Sequence, residues 1–285
     1  DNIELIKIIA DDTADSAMRY YQYFFIRIFF FDLRHQFADP DTVCRMERIP
    51  AGKGLKLWEN AELLIVPDIA GFVGADTVAC ILATDMDRRH EMSLLVDIGT
   101  NGEMVLSHNG RMVACSTAAG PALEGANITF GMRGSTGAID HVWAVNGQLC
   151  YSVIGGVAPT GICGSGIIDA VAALLDLKLI NRRGRIQTTR EKDGQRVVYL
   201  SDSIYLTQED IRQVQMAKGA IAAGIHLMCG YLDITAGDIR RVILAGAFGS
   251  FLNPDSACRI GLLPAELSGR ITAAAAFMGE KLGLH

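Results

Sequence analysis

The sequence predicts an α/β fold in which helices flank a mixed sheet. Apolar strand-like runs follow one another at Leu94–Ile98, Met104–Leu106 and Arg111–Thr117, separated only by tight turns. A further apolar run, Val242–Ala245, ends in the segment Gly246-Ala247-Phe248-Gly249. Between these runs lie an apolar helical stretch at Ile167–Leu175 and a longer one reaching from Thr207 to about Leu232. Strands and helices interleaved in this way pack as layers around one core.

Composition bounds the chain. At 285 residues it is long enough for two domains or for one with a well-buried core, and half of its residues are hydrophobic. A net charge of -6 argues against a broad nucleic-acid surface, which needs clustered cations to displace counterions from phosphates. The seven cysteines are scattered, with no Cys-x-x-Cys pair. That spacing fits neither a disulfide framework nor a zinc or iron–sulfur ligand set held within this chain, and it suits reduced thiols in a cytoplasmic protein. No signal-peptide pattern is visible, and no apolar run reaches the roughly 18 residues of a membrane span.

Residues 1–60 read as a poorly patterned N-terminal remnant. Tyr20 to Phe31 packs eight aromatics into twelve positions with no clean period, which suits a buried strand pair or a segment facing a partner. From Ala61 the pattern becomes regular. Leu63–Pro67 is a strand, Ile69–Asp76 a glycine-bearing turn, and Thr77–Thr84 a helix of small residues. The charged stretch Asp85–Glu91 reads as a solvated connector in which His90 is surface decoration.

The turn Asp97-Ile98-Gly99-Thr100-Asn101-Gly102-Glu103 carries the first candidate chemistry. Glycines let backbone N–H groups approach an anion closely, and a carboxylate at the strand end can hold a hydrated cation or orient a water. The same residues also suit a hairpin with an Asn-Gly turn. After the third strand, Pro121 stands where a helix can begin, with Glu124 held near the cleft as a water-orienting group or a local cap.

Residues 138–157 alternate like a hairpin turning at Asn146-Gly147. Gly161-Ile162-Cys163-Gly164-Ser165-Gly166 then feeds an apolar helix, either as a second phosphate cradle or as close helix packing through glycine. Cys163 borders the candidate cleft, but no histidine is near it in sequence. Residues 181–203 read as a polar hairpin insertion. Thr207 caps the long helix, with Asp210 in the capping-box position. Lys218 is a snorkelling lysine or, alternatively, a nucleotide contact. Asn253-Pro254-Asp255 starts a further helix.

Together these motifs resemble the acetate and sugar kinase, heat-shock chaperone and actin (ASKHA) superfamily, whose fold is ribonuclease H-like. Within it, the segments Ile69–Asp76, Asp97–Glu103, Ser116–Gly125, Gly161–Gly166 and Ile260–Pro264 are similar to the C-terminal ATPase region of the reductive activators of corrinoid proteins. The resemblance covers about Leu63 to Pro264. It implies an ATPase that drives reduction of cobalt from Co(II) to Co(I) in a partner corrinoid protein, and an iron–sulfur (2Fe-2S) cluster belonging to sequence outside this chain.

The resemblance further implies ATP phosphates at Gly99, Thr100, Asn101, Gly102 and Glu103, beside Ser116, Thr117 and Gly120. Gly164, Ser165 and Gly166 form the second cradle, and adenosine lies near Gly246, Ala247, Phe248 and Gly249. Asp97 holds Mg²⁺ through water and Glu124 aligns the attacking water. Nothing before Leu63 reads as a second Asp-x-Gly-Thr turn, so an incomplete first lobe is expected. Two alternatives stay open: a docking or homodimerising module without turnover, and a small-molecule phosphotransferase of the same fold.

Overall fold

The computed structural model describes Ile69, residues 73–274 and three short strands at 29–32, 47–50 and 62–65. Those strands are β1 (Phe29–Asp32), β2 (Glu47–Pro50) and β3 (Glu62–Ile65), followed by helix α1 (Ala75–Ala83). Strands β4 (Ser93–Ile98), β5 (Gly102–His108) and β6 (Arg111–Thr117) come next, then β7 (Ala138–Val145), β8 (Gln148–Val153) and β9 (Gly161–Ile162). Helix α2 (Gly164–Asp176) leads to β10 (Glu191–Lys192), β11 (Gln195–Tyr199) and β12 (Tyr205–Thr207). The chain continues through α3 (Gln208–Tyr231), β13 (Arg241–Ala245), α4 (Gly246–Gly249), α5 (Pro254–Ile260) and β14 (Ile271–Ala273).

The main sheet runs in the order β1-β6-β5-β4-β13-β14. Strands β4, β5 and β6 form an antiparallel meander, and β13 pairs parallel to both β4 and β14. This is the mixed, ribonuclease H-like sheet expected. The edge strand β1 pairs Phe29 with Ser116 and Phe31 with Ala114, so the end of the aromatic run is strand. The remainder of that run lies outside the described residues.

Side-chain alternation along β4 gives the sheet a core on each face. Leu94, Val96 and Ile98 join the larger cluster, which holds the apolar residues of α2 and α3. Leu95 joins a second cluster with Val73, Val78, Ile81 and Met86 around α1. Each such buried side chain contributes on the order of 1.5–3 kcal/mol. The same alternation puts Asp97 on the face that carries α1.

Helix α3 starts at a capping box: Asp210 N–H donates to Thr207 Oγ1 (3.1 Å) and Thr207 N–H donates to Asp210 Oδ2 (2.8 Å). It lies close against the sheet because Gly224 faces it; a Cβ there would collide with Met104 and Thr117. Gly102 serves the same contact from the strand side, since a Cβ would come within 3.0 Å of Ile221.

Two expectations are revised in detail. The helix expected from Pro121 is a single 3₁₀ turn, Pro121–Glu124. It stops at Gly125, which takes a left-handed φ of 85° and lies so near Met132 that a Cβ would approach its carbonyl oxygen to 2.7 Å. The hairpin 191–199 gains a third strand, because β11 also pairs with β12. Gln208 ties this region to the start of α3, accepting from Ile186 N–H (2.9 Å) and donating to the Gly184 carbonyl (2.8 Å).

Candidate functional site

The candidate site lies at the ends of the two central parallel strands. Asp97, on β4, is opposite Ala245 on β13. Burial, and then the nearby Asp76 carboxylate, push its pKa up from the ordinary carboxylate value. Its oxygens take no hydrogen bond from the described residues. Gly246, just past β13, has φ 78°, and a Cβ there would sit 2.5 Å from Asp97 Oδ1. Only glycine lets the chain turn at that angle and that distance.

Glu103 is the direct cross-strand partner of Asp97, and Ser116 lies opposite it on β6. Ser116 Oγ donates to Glu103 Oε1 at 3.3 Å. Burial raises the Glu103 pKa, a shift partly offset by a backbone hydrogen bond and by Ser116. Burial, Asp97 and Asp76 together push the Cys80 thiol up to about 11, so it stays protonated at neutral pH.

The Asp97–Glu103 turn is a hairpin turn, with Gly99 at the cavity. Strands β4 and β5 form an antiparallel hairpin whose connection, residues 99–101, borders the cavity. Gly99 N–H donates to the Asn101 carbonyl (2.9 Å), and Gly120 N–H donates to the Thr100 carbonyl (2.8 Å). The second bond draws the 3₁₀ turn alongside. Thr100 Oγ1 then donates to Glu124 Oε1 at 2.6 Å, joining residues 24 apart in sequence.

These groups open on a cavity of about 780 Å³. Asp97, Gly99, Glu124 and Gly246 line one wall. The start of α2 contributes Cys163, Gly164 and Ser165, so the positive end of a 13-residue helix faces the space. Ser165 Oγ donates to the Asp140 carbonyl at 2.9 Å. Met132, Arg133, Asp140 and His141 form a third wall, and Leu123, Ile154 and Phe251 supply apolar surface. The size and the mixture of apolar walls with a few polar groups suit a nucleotide-sized ligand.

Other expected site residues lie outside that lining. Gly166 packs α2 on β7, where a Cβ would collide with the Ile139 carbonyl, so this glycine serves helix packing. Gly249 likewise approaches Leu244. Thr117 Oγ1 donates to the Gly102 carbonyl at 3.3 Å within the core. The Lys218 ammonium donates to the Ile260 carbonyl at 2.7 Å, satisfying an orphan carbonyl at the end of α5. Ala247 falls within α4 together with Phe248, whose side chain, like that of Ala247, lies outside the described residues.

Three contributors were not singled out in the sequence. Asp76 is in the first turn of α1, near Asp97 and Cys80. Arg133 sits between glycines and carries no periodic signal. His141 lies on a hairpin strand and becomes conspicuous only through its partner Asp169, 28 residues later. Among the described residues, no three His, Cys, Asp or Glu side chains converge to hold a metal ion. A cation arriving with phosphates, and keeping most of its waters, needs only one or two protein carboxylates, which Asp97 and its neighbours offer.

No helix among the described residues is long and apolar enough to cross a membrane. The chain is similar to "Corrinoid activation enzyme RamQ" of Eubacterium limosum, at 41% identity over 231 residues covering 74% of this chain and 39% of that one. It is also similar to "[Co(II) methylated amine-specific corrinoid protein] reductase" of Methanosarcina barkeri, at 31% identity over 233 residues, 74% of this chain and 42% of the relative. The chain thus spans about two fifths of the length of the curated relatives it matches. A solved structure, "Reductive activator for corrinoid,iron-sulfur protein", superposes with a TM-score of 0.72 at 36% identity, covering 83% of this chain and 41% of that one. Residues 25–89 match the RACo middle region, and residues 91–276 match the C-terminal domain of RACo, the ASKHA domain. With that match extending over more than half of its length, the chain belongs to the RACo family and carries that family's C-terminal ASKHA domain.

Proposed function

We propose that this chain is the ATP-binding and ATP-hydrolysing part of an activator that drives reduction of a corrinoid protein from Co(II) to Co(I). The observation that carries the reading is the Asp97 carboxylate. It stands unbonded among the described residues at the end of the central strand, against Gly246, with the glycine turn and Glu124 beside it. That grouping suits a phosphate chain and its Mg²⁺, because a phosphoryl site needs neutralised charge and a placed water. The names of the relatives supply the corrinoid partner and the reductive outcome.

In this reading Asp97 would hold a hydrated Mg²⁺, which would neutralise phosphate charge, and backbone N–H groups of the 99–101 turn and the α2 start would meet phosphate oxygens. Glu124, steadied by Thr100, aligns the water that attacks the γ-phosphorus. The water's oxygen bonds to phosphorus as the bond to the bridging oxygen breaks, giving ADP, phosphate and a proton. An iron–sulfur cluster in sequence outside this chain would supply the electron for cobalt. Hydrolysis shifts the lobes and alters docking to the corrinoid protein, as in other nucleotide-driven switches.

The test is calorimetric titration of the chain with Mg-ATP beside Asp97→Ala, with and without a corrinoid protein. Binding that Asp97→Ala reduces at least tenfold supports the reading. Equal binding by both proteins, or none by either, overturns it.

A further inference from the structure

The cavity has a wall that the phosphate turn does not account for. His141, on β7, is 45% exposed at its side chain, and its Nδ1 lies 2.9 Å from Oδ2 of Asp169, a residue of α2 that is 2% exposed. The other Asp169 oxygen is buried without a hydrogen-bond partner. A buried carboxylate with a single partner fixes the imidazole ring and its proton on Nδ1. Nε2 takes no hydrogen bond from the described residues and lies on the ring edge opposite α2. Arg133, on the same wall, is exposed and has no ion pair among the described residues.

The cavity is lined by three carboxylates, Asp97, Glu124 and Asp140, and by two side chains able to carry positive charge, Arg133 and His141. Asp140, which also lines it, has its Oδ1 occupied by Ser152 Oγ (2.6 Å) and the His141 N–H (3.1 Å). Resting on the nucleotide reading above, we propose that Arg133 and His141 form the anion-binding wall of this cavity and that His141 Nε2 donates to a phosphate oxygen of the bound nucleotide. Asp169 is the positioning residue. With Nδ1–H given to Asp169 Oδ2, donation from Nε2 needs a proton on both ring nitrogens, so any proton the free ring lacks comes from solvent on binding, and the ring then bridges two anions, Asp169 Oδ2 and the phosphate. The titratable and charged groups about the ring are Asp169 from α2 and Asp140 from its own strand, together with Arg133, Cys163, Asp97 and Glu124 in the same cavity lining. Charge-assisted hydrogen bonds of this kind are about twice as strong as neutral ones.

The experiment is calorimetry at pH 7.5 in two buffers of different ionisation enthalpy, titrating Mg-ATP and, separately, adenosine into wild type, His141→Gln, Arg133→Gln, Asp169→Asn and Asp97→Ala. Wild type should show buffer-dependent enthalpy, reporting proton uptake. His141→Gln and Arg133→Gln should each lose about tenfold in Mg-ATP affinity with adenosine affinity unchanged, and His141→Gln should lose the proton uptake. Asp169→Asn should reduce the uptake while the ring remains present. If Mg-ATP binds and Asp97→Ala weakens it, but His141→Gln and Arg133→Gln match wild type, this proposal alone falls. Equal loss of adenosine and Mg-ATP affinity would assign the wall to the nucleoside and also overturn it. No Mg-ATP binding by wild type would sink both this proposal and the nucleotide reading.

Discussion

Gly246→Ala tests the arrangement around Asp97 most directly. Alanine there must hold a φ near 78°, which costs a non-glycine residue about 1–2 kcal/mol. Its Cβ would also stand 2.5 Å from Asp97 Oδ1, and relief requires the Asp97 side chain to leave its rotamer at a further cost of about 0.5–1.5 kcal/mol. The sum is about 1.5–3.5 kcal/mol, a fall in Tm of roughly 3–14 °C for a chain of this size. Gly269→Ala supplies the control, because Gly269 has φ 79° and nothing within 4 Å of its Cβ position. It should lose only the conformational part. Urea unfolding and Mg-ATP titration of both variants separate the two costs. If they lose equal stability and both bind Mg-ATP like wild type, Gly246 does not shape the Asp97 site.

Further outcomes follow from other residues. Asp97→Asn should be more stable than wild type at neutral pH. The raised pKa means that the wild-type carboxylate is at ease when protonated and loses stability as pH rises through its folded value, so the gap between the two proteins in denaturant titrations should close toward pH 3. Thr207→Ala should cost about 1–2 kcal/mol through loss of the α3 cap, and Asp210→Ala more, because Asp210 Oδ1 also accepts from Thr129 N–H (2.8 Å) and Oγ1 (3.1 Å). Both are read from chemical unfolding. Iodoacetamide at pH 8 should modify the partly exposed Cys150 well before Cys80, whose thiol titrates at about 11, and peptide mass mapping gives the order.

The legibility of this chain followed sequence distance. The β4–β5–β6 meander, the α3 capping box and the Asn253 cap were readable because each depends on residues a few positions apart, where alternation and side-chain caps act directly. Glycine roles were readable only as a class. Gly99 and Gly246 border the cavity, whereas Gly102, Gly166 and Gly224 hold elements close together, and only the packed partner reveals which. The hydrogen bond of Lys218 was not readable, because its partner, the Ile260 carbonyl, is 42 residues away. His141 carried no local signal at all, since its meaning depends on Asp169 across the boundary between a strand and a helix.

The alternation of β4 also sets how this site can move. Leu94, Val96 and Ile98 are keyed into one core and Leu95 into the other, while β5 and β13 grip the strand from either side. Asp97 is thus bolted to a stiff plate clamped on both faces and along both edges. A ligand pulling on its carboxylate cannot bend the strand locally without loosening both cores, so the force passes into the whole sheet. Any stroke generated here emerges as tilting of the entire slab, with give concentrated in the connections that leave it.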